Sequence, residues 1–373
     1  MCTYLLPLFS NNDNNLNISA ELQNNNLQVI EMLHIEKIDY KNEQLGDDLP
    51  NENQIIEYKK LSIDIPEENP LIQKYRKEYT SNFGKQWLAN VMNNAEPYRL
   101  FIREELEKRS MPAFLEYLPA VESSFNIRAV SKSKATGLWQ FMENSIKPYM
   151  QKNSWVDERL DPWISTDAAL KKLQENFNIL GNWELALAAY NFGLGGISRL
   201  VKQYPGKNYW QLAAKDKLKT ETKNYVPRLL VIADLVTNAD FYGIDLPTLT
   251  EKDEHRFEEI IVNGAYDLND IAQKANISIK ELEFFNPALF YGVTPPTTNY
   301  KLRFPQNYAE QITEILKHID PRAPKFHTVI KGETLWGISR QYNIDIDELC
   351  IINKINKNNI LSIGTVLKLP IYK

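Results

Sequence analysis

The sequence predicts a mainly α chain in which a helical domain, residues 69–245, is followed by two small βααβ modules at 257–305 and 326–371. Two observations carry this. Apolar residues recur at three-to-four spacing almost throughout 69–245, and strand signals there are nearly absent. Beyond Asp245 the texture changes, and two stretches of about 45 residues repeat one outline, the mark of an internal repeat. A chain of 373 residues suits two to three domains.

From about Asn11 to Asn69 the sequence is rich in Asn, Asp, Glu and Lys. Residues 1–68 are therefore expected to be mostly flexible, with one docked amphipathic piece around Leu22–Leu33. Pro70–Ala95 places Leu71, Ile72, Tyr75, Tyr79, Phe83, Trp87, Leu88 and Val91 on one helical face, and Tyr98–Arg109 reads as a second helix. Ser110 can cap a third, with Pro112 in its first turn, running to about Ser123. Ser165-Thr166-Asp167 then starts Ala168–Leu180, and Gly181 ends it. Asn182 opens Trp183–Phe192, which stops at the glycine run Gly193–Gly196, and Asn224–Phe241 is the last long helix. Each later module has a β-branched run (Ile260–Val262; Thr328–Ile330), a glycine (Gly264; Gly332), two helical patterns, and a closing apolar strand ending in proline (Leu302–Pro305; Leu367–Pro370). A helix over Tyr308–His318 and a linker, Asp320–Lys325, lie between them.

A net charge of −5 offers no basic footprint, so nucleic acid is not expected as a partner. Cys2 and Cys350 lie at opposite ends, which excludes a disulfide-rich framework and leaves the redox compartment open. No run approaches the roughly 18 apolar residues of a membrane span. The apolar start, Met1–Ser10, lacks a basic leader. It fits the tail of an export signal with Cys2 as a lipid-attachment site, and equally an incidental cysteine in a disordered terminus. The four histidines lack ligand-like spacing, so no metal and no cofactor is expected. Gly193–Gly196 is read as ending a helix rather than opening one, which argues against a phosphate loop.

Glu122 follows an apolar stretch (Phe114, Leu115, Leu118–Val121) at an expected helix C-terminus. Apolar packing without a helix N-terminal dipole pushes a carboxyl pKa up, so that it holds a proton near neutral pH; an apolar pocket can raise a Glu to roughly 6. On spacing alone, a solvated carboxylate at a helix end is the plainer reading.

The motifs Glu122-Ser-Ser-Phe-Asn126, Ala129-Val-Ser131, Gly137-Leu-Trp-Gln-Phe141, Ala189-Tyr-Asn-x-Gly193-x-Gly195 and Tyr225-Val-Pro-Arg228 occur in this order across 69–245. Together they resemble the Slt-type lytic transglycosylases. The resemblance implies a lysozyme-like helical fold and makes Glu122 the only catalytic carboxylate. Glu122 would protonate the oxygen between N-acetylmuramic acid and N-acetylglucosamine, then take a proton from the muramoyl 6-hydroxyl, leaving a 1,6-anhydro end. It further implies substrate-binding roles for Ser131, Gln140, Tyr190, Asn191 and Tyr225. Each also has an ordinary reading as a loop, surface or core residue. Three residues depart from the family pattern: Lys134 where glycine is usual, Glu143 where proline is frequent, and Phe192 where a small residue is usual. Phe192 is expected to narrow the cleft or stack on a sugar. Glu143 is expected to face solvent, although a second carboxylate near the site would favour hydrolysis. Asp157, Glu158 and Asp161 read as loop charges.

Residues 326–371 carry His327-Thr-Val-Ile-Lys-Gly-Glu-Thr-Leu-Trp-Gly-Ile-Ser339, and this region resembles a LysM domain. That resemblance implies a βααβ module binding N-acetylglucosamine-containing glycans in a groove beside Gly332, Glu333, Thr334 and Leu335 and the loop Lys354–Leu361. A structural role for each of the four is as plain as sugar contact, and Trp336 is expected in the core. Residues 257–305 lack the Gly-Glu-Thr-Leu turn and read as a diverged copy, with weak binding or a packing role. The expected partner is the peptidoglycan glycan strand. The expected setting is the periplasm or cell envelope, with outer-membrane association through Cys2, and the expected state is a monomer. A lysozyme-like hydrolase and an inactive wall-binding protein are the alternatives.

Overall fold

The computed structural model describes residues 58–153, 155–247, 249, 256–296, 299–322 and 325–369. Expectations for residues 1–57, including Leu22–Leu33 and Cys2, lie outside them.

The helical domain opens with α1 (Pro70–Thr80) and α2 (Asn82–Lys108). The helical run breaks at Ser81, not beside Pro97. Ser81 leaves helical geometry and its hydroxyl accepts the Gly84 N–H, capping α2. Pro97 removes one hydrogen bond from the helix interior, yet the buried stripe of Leu88, Val91, Met92, Tyr98, Ile102 and Leu106 keeps α2 continuous through it. Ser110 does not cap a helix: it is left-handed, with φ 51°. The expected third helix is instead a 3-10 turn (Ala113–Tyr117) running into the short α3 (Leu118–Glu122).

α4 (Pro162–Leu180) starts six residues before the expected position. Asp161 caps it by accepting the Trp163 and Ile164 N–H groups at 3.0 and 2.9 Å, and Pro162 fits the first turn. α5 (Trp183–Phe192) is capped by Asn182 and ends at Gly193 as expected. Against expectation, Gly193 is also the start of α6 (Leu194–Gln203), so the glycine run ends one helix and opens another. α7 (Tyr209–Ala214) and α8 (Thr220–Thr237) complete the domain. α8 is the central helix: Val226, Leu229–Ala233 and Leu235 are all fully buried, as expected of a helix covered on every side. Buried Asp234 on α8 accepts hydrogen bonds from Arg76, Tyr242 and Tyr58, and the Lys59 N–H donates to Asn238 at 2.6 Å. Residues 58–69 are thereby tied to the helical domain.

The first module comprises β1 (Phe257–Val262), α9 (Leu268–Ala275), α10 (Ile279–Phe285) and β2 (Tyr300–Pro305), followed by α11 (Ala309–Lys317). The second comprises β3 (Lys325–Thr328), α12 (Leu335–Tyr342), α13 (Ile346–Asn353) and β4 (Val366–Leu369). Each strand pair is antiparallel, from Phe257↔Pro305 to Val262↔Tyr300 and from Lys325↔Leu369 to Thr328↔Val366. The βααβ repeat expected from the sequence is therefore present twice.

The first module shares a core with the helical domain, because Trp155 and Val156 are buried in one cluster with Val262, Ile271, Leu282 and Leu302. Backbone bonds reinforce the junction: Asp157 N–H to Ala288 O at 3.0 Å and Phe290 N–H to Trp155 O at 3.0 Å. Arg303 of β2 donates to Asp161, with 4% and 1% of their side chains exposed, and its guanidinium lies 5.4 and 5.2 Å from the Trp163 and Phe257 rings. Asp161 is thus a buried ion-pair partner and helix cap rather than a loop charge. Asp157 is likewise buried, paired with Arg159.

Candidate active site

Glu122 ends α3, where the chain reverses through left-handed Ser124 and Phe125. Ser123 ties this corner to the next loop by donating to Leu138 O at 2.7 Å. That loop, 129–141, folds back through isolated bridges from Thr136 to Val130 and Phe141. Gly137 is required here. It adopts φ 87°, and a Cβ on it would lie 1.7 Å from Arg159 O. Arg159 holds the loop from behind, donating to Lys134 O and Phe141 O, each at 3.2 Å. Lys134, the departure from glycine, occupies a left-handed position (φ 68°), which explains why glycine suits that place.

Glu122 is 8% exposed and lines an open cleft with Gln140, Tyr190 and Asn191. Tyr225, in the second turn of α8 rather than opening the helix, donates its hydroxyl to Glu122 Oε1. Glu122 Oε2 has no protein partner among the described residues and is left for the cleft. Burial pushes the Glu122 carboxyl up to about 7, and the Tyr225 hydrogen bond opposes that rise. Burial also holds the Tyr190 and Tyr225 phenols well above the ordinary tyrosine value.

Replacing Tyr225 with Phe removes the hydrogen bond that stabilises the Glu122 carboxylate. We expect about a tenfold loss of turnover, in line with loss of one charge-assisted hydrogen bond. The alkaline limb of the pH–rate profile should move upward, since the opposing effect is gone. A limb that stays in place would show that Tyr225 does not act on Glu122.

The other residues singled out from the sequence divide. Gln140 Nε2 donates to Gly137 O at 2.8 Å and Ala129 O at 3.2 Å, while its buried Oε1 has no partner among the described residues. Tyr190 donates to Trp139 O at 2.9 Å. Asn191 donates to Glu221 at 3.3 Å and accepts from Thr222 at 2.7 Å. Ser131 does not line the cleft; its hydroxyl accepts the Ala135 N–H at 2.9 Å and shapes the loop. Glu143 points outward and pairs with Lys152. Phe192 is also outside the cleft lining, packed on Gly196 beneath Lys219, because only Gly193 separates α5 from α6.

Two charged residues of the cleft lining were not singled out from the sequence, Lys172 and Glu221. Lys172 falls three and four residues after fully buried Ala169 and Ala168, where a cation is out of pattern. Glu221 precedes Tyr225 by one helical turn, on the same face of α8.

In the second module Gly332 adopts φ 92° at the strand-to-helix turn, and Thr334 caps α12 by accepting the Gly337 N–H at 3.0 Å. Glu333 accepts from the Ile330 N–H and meets His327, both at 2.8 Å, and these contacts hold its carboxyl below the usual range. Leu335 is buried in the module core. Trp336, expected in the core, is 59% exposed under the Arg340 guanidinium, because α12 turns Leu335 and Ile338 inward instead. Ile360, in the loop after α13, is 96% exposed. The second module also leans on the first, where Tyr291 donates to Glu348 at 2.8 Å.

Comparison with known families agrees with this layout. Residues 99–213 match the model for the transglycosylase SLT domain, 256–321 the LysM-like domain of lytic transglycosylase MltD, and 327–370 the LysM domain. The membrane-bound lytic murein transglycosylase D of Escherichia coli K12 is 29% identical over 303 residues, covering 76% of this chain and 65% of that protein. Its counterpart in strain O6:H1 matches equally. A protein of Alteromonas sp. strain M-1, named for tributyltin chloride resistance, is 39% identical over 125 residues, covering 32% of this chain and 58% of its own length. The matched region thus spans just under two thirds of the transglycosylase relatives.

Proposed function

We propose, from a chain that joins a transglycosylase SLT domain to a LysM-like and a LysM domain, that it cuts peptidoglycan glycan strands as a lytic transglycosylase with Glu122 as its acid/base. The observation that carries this is one buried carboxyl group, raised to about 7 and bound by Tyr225, at the wall of an open cleft. Such a group is protonated at the start of a turnover and ionised after it.

In this reading Glu122 gives its proton to the oxygen bridging N-acetylmuramic acid and N-acetylglucosamine. The C1–O bond breaks and the N-acetylglucosamine end leaves as an alcohol. The Glu122 carboxylate then takes the proton of the muramoyl 6-hydroxyl as O6 bonds to C1. The acid is regenerated and no water is consumed. Tyr225 steadies the carboxylate between the two transfers. Gln140 and Asn191 present amides to the sugar, while Ser131 contributes by holding the loop.

Glu221 lends weight to a second reading, a two-carboxylate hydrolase, because it also lines the cleft. Digestion of purified sacculi separates the two, since the anhydro product is lighter than the hydrolytic one by a molecule of water. We expect anhydro-muropeptides from wild type and from Glu221→Gln, and from Glu122→Gln only the small residue left by a roughly 10²–10⁴-fold loss. Reducing-end products that vanish in Glu221→Gln would establish hydrolysis instead.

The LysM domain is proposed to hold the enzyme on the wall, Gly332–Leu335 shaping the first groove loop and Ile360 the second. Linked weak sites raise the local concentration of the catalytic domain on its polymer. The setting proposed is the cell envelope, with Cys2 as a lipid-attachment site. Among the described residues no helix is long and apolar enough to cross a membrane.

A further inference from the structure

Among the described residues, Lys172 is the one cation that lines the Glu122 cleft. It stands in the middle of α4, half-buried, with Nζ 5.3 Å from the centre of the Phe141 ring and 5.4 Å from that of Tyr190. Phe141 and Tyr190 belong to the two motifs that frame the cleft. Glu122 and Glu221 line the same cleft, yet among the described residues no carboxylate lies within ion-pairing distance of the ammonium. Several other partly buried cations of the helical domain have a partner of their own: Arg76, Arg99, Arg103, Arg109 and Arg159 each pair with a carboxylate, and Arg228, although it lies over the Tyr75 ring without a carboxylate, donates to the Tyr79 hydroxyl at 3.1 Å. A cation drawn out of water onto two aromatic faces, and left without a counter-ion, is placed to receive one from a ligand.

We infer that Lys172 recognises a carboxylate carried by the muramoyl residue beside the scissile bond. The inference rests on the peptidoglycan reading of the site. Muramic acid is the sugar of the strand that bears an acidic substituent, a lactyl ether on O3, one carbon removed from the ring atoms next to the reacting anomeric centre. In a peptide-free strand the lactyl group ends in a free carboxylate. In a stem-bearing strand it is an amide, and the nearest carboxylates belong to the peptide. Either source presents the same chemistry to the ammonium.

The test compares three strand preparations: peptide-free, peptide-free with the lactyl carboxyls converted to methylamides, and stem-bearing. Wild type should cleave the free-carboxylate strands about tenfold better, by kcat/KM, than the methylamides, the scale of one charge-assisted hydrogen bond. Lys172→Met should bring that ratio close to one, and Lys172→Arg should keep it. A Lys172-dependent preference confined to stem-bearing strands would place the carboxylate on the peptide and still support recognition. A ratio unchanged by Lys172→Met would overturn the inference. So would an equal slowing on all three strands, because the cation would then act only through Glu122. Binding of the same strands to Glu122→Gln, with and without Lys172→Met, reads recognition without any bond being cut. A Lys172-dependent ratio in binding, alongside no anhydro product from wild type, would sink the proposed chemistry and leave the recognition standing.

Discussion

Replacing Glu122 with Gln is expected to lower glycan cleavage by roughly 10²–10⁴-fold, the range that one general acid/base contributes, and at the same time to stabilise the protein at alkaline pH. The two effects share one cause. The folded protein holds the Glu122 proton to a pH of about 7, whereas a free Glu side chain loses it at 4.5. Between those values the folded state binds more protons than the unfolded one, so stability falls as pH rises. The contribution is fully present below 4.5 and is lost as pH passes through about 7. Above that, an ionised carboxylate sits in a site only 8% exposed, at a cost of up to about 3 kcal/mol. Gln keeps the shape and an acceptor for Tyr225 but does not ionise.

Urea unfolding of wild type and Glu122→Gln across pH 5 to 8 should therefore show two curves that diverge as pH rises, the variant becoming the more stable. Cleavage by wild type should decline above about pH 7, where the acid is spent. Parallel unfolding curves would show that Glu122 is not buried as an acid. A variant that still released anhydro-muropeptides at the wild-type rate would remove it from the chemistry.

The second large effect is expected at Arg303→Met. The Arg303–Asp161 pair is almost wholly buried, and removing one partner of such a pair costs about 3–5 kcal/mol, because the other charge is left without compensation. Asp161 also caps α4, and two residues upstream Arg159 holds Lys134 O and Phe141 O in the 129–141 loop beside the cleft. Loss of the pair should lower stability and, at temperatures where the variant remains folded, reduce turnover. Adding Asp161→Asn should recover part of the stability, since Asn still caps the helix without a buried charge. Truncation should follow the same division. Ending the chain after residue 322 should leave a folded helical domain with its docked first module. Ending it after residue 247 would uncover Trp155, Val156 and Trp163 and should give an aggregating product. Thermal melts of Arg303→Met that coincide with wild type would show the junction to be incidental.

These expectations make the first βααβ module a packed part of the unit that holds the Glu122 cleft. Its repeat outline was legible in the sequence, and so was the absence of the Gly-Glu-Thr-Leu turn. Its docking was not, because Arg303 lies 142 residues from Asp161 and no local pattern pairs them. The same limit applies at the site. The ordered motifs pointed to Glu122, Gln140, Tyr190, Asn191 and Tyr225, and all five meet at one cleft or its immediate wall. Ser131 belongs to the same motifs but turns its hydroxyl to its own loop. Lys172 and Glu221 carry no motif in the reading from sequence, and only helical packing brings them to the cleft.

The sequence by itself determined the helical domain and the paired βααβ modules. These follow from periodicity, caps such as Asn182 and stops such as Gly181, which act within a turn or two of chain. It also determined which carboxylate to examine. Helix boundaries near proline, serine and glycine were decided by tertiary structure: α2 runs through Pro97 because its buried stripe outweighs one lost hydrogen bond, and α6 begins where a glycine turn was expected. The ionisation of Glu122 was decided there too. A carboxyl at a helix end is ordinary until Tyr225 and the surrounding core take its water away, and those neighbours arrive from a helix about a hundred residues further along the chain.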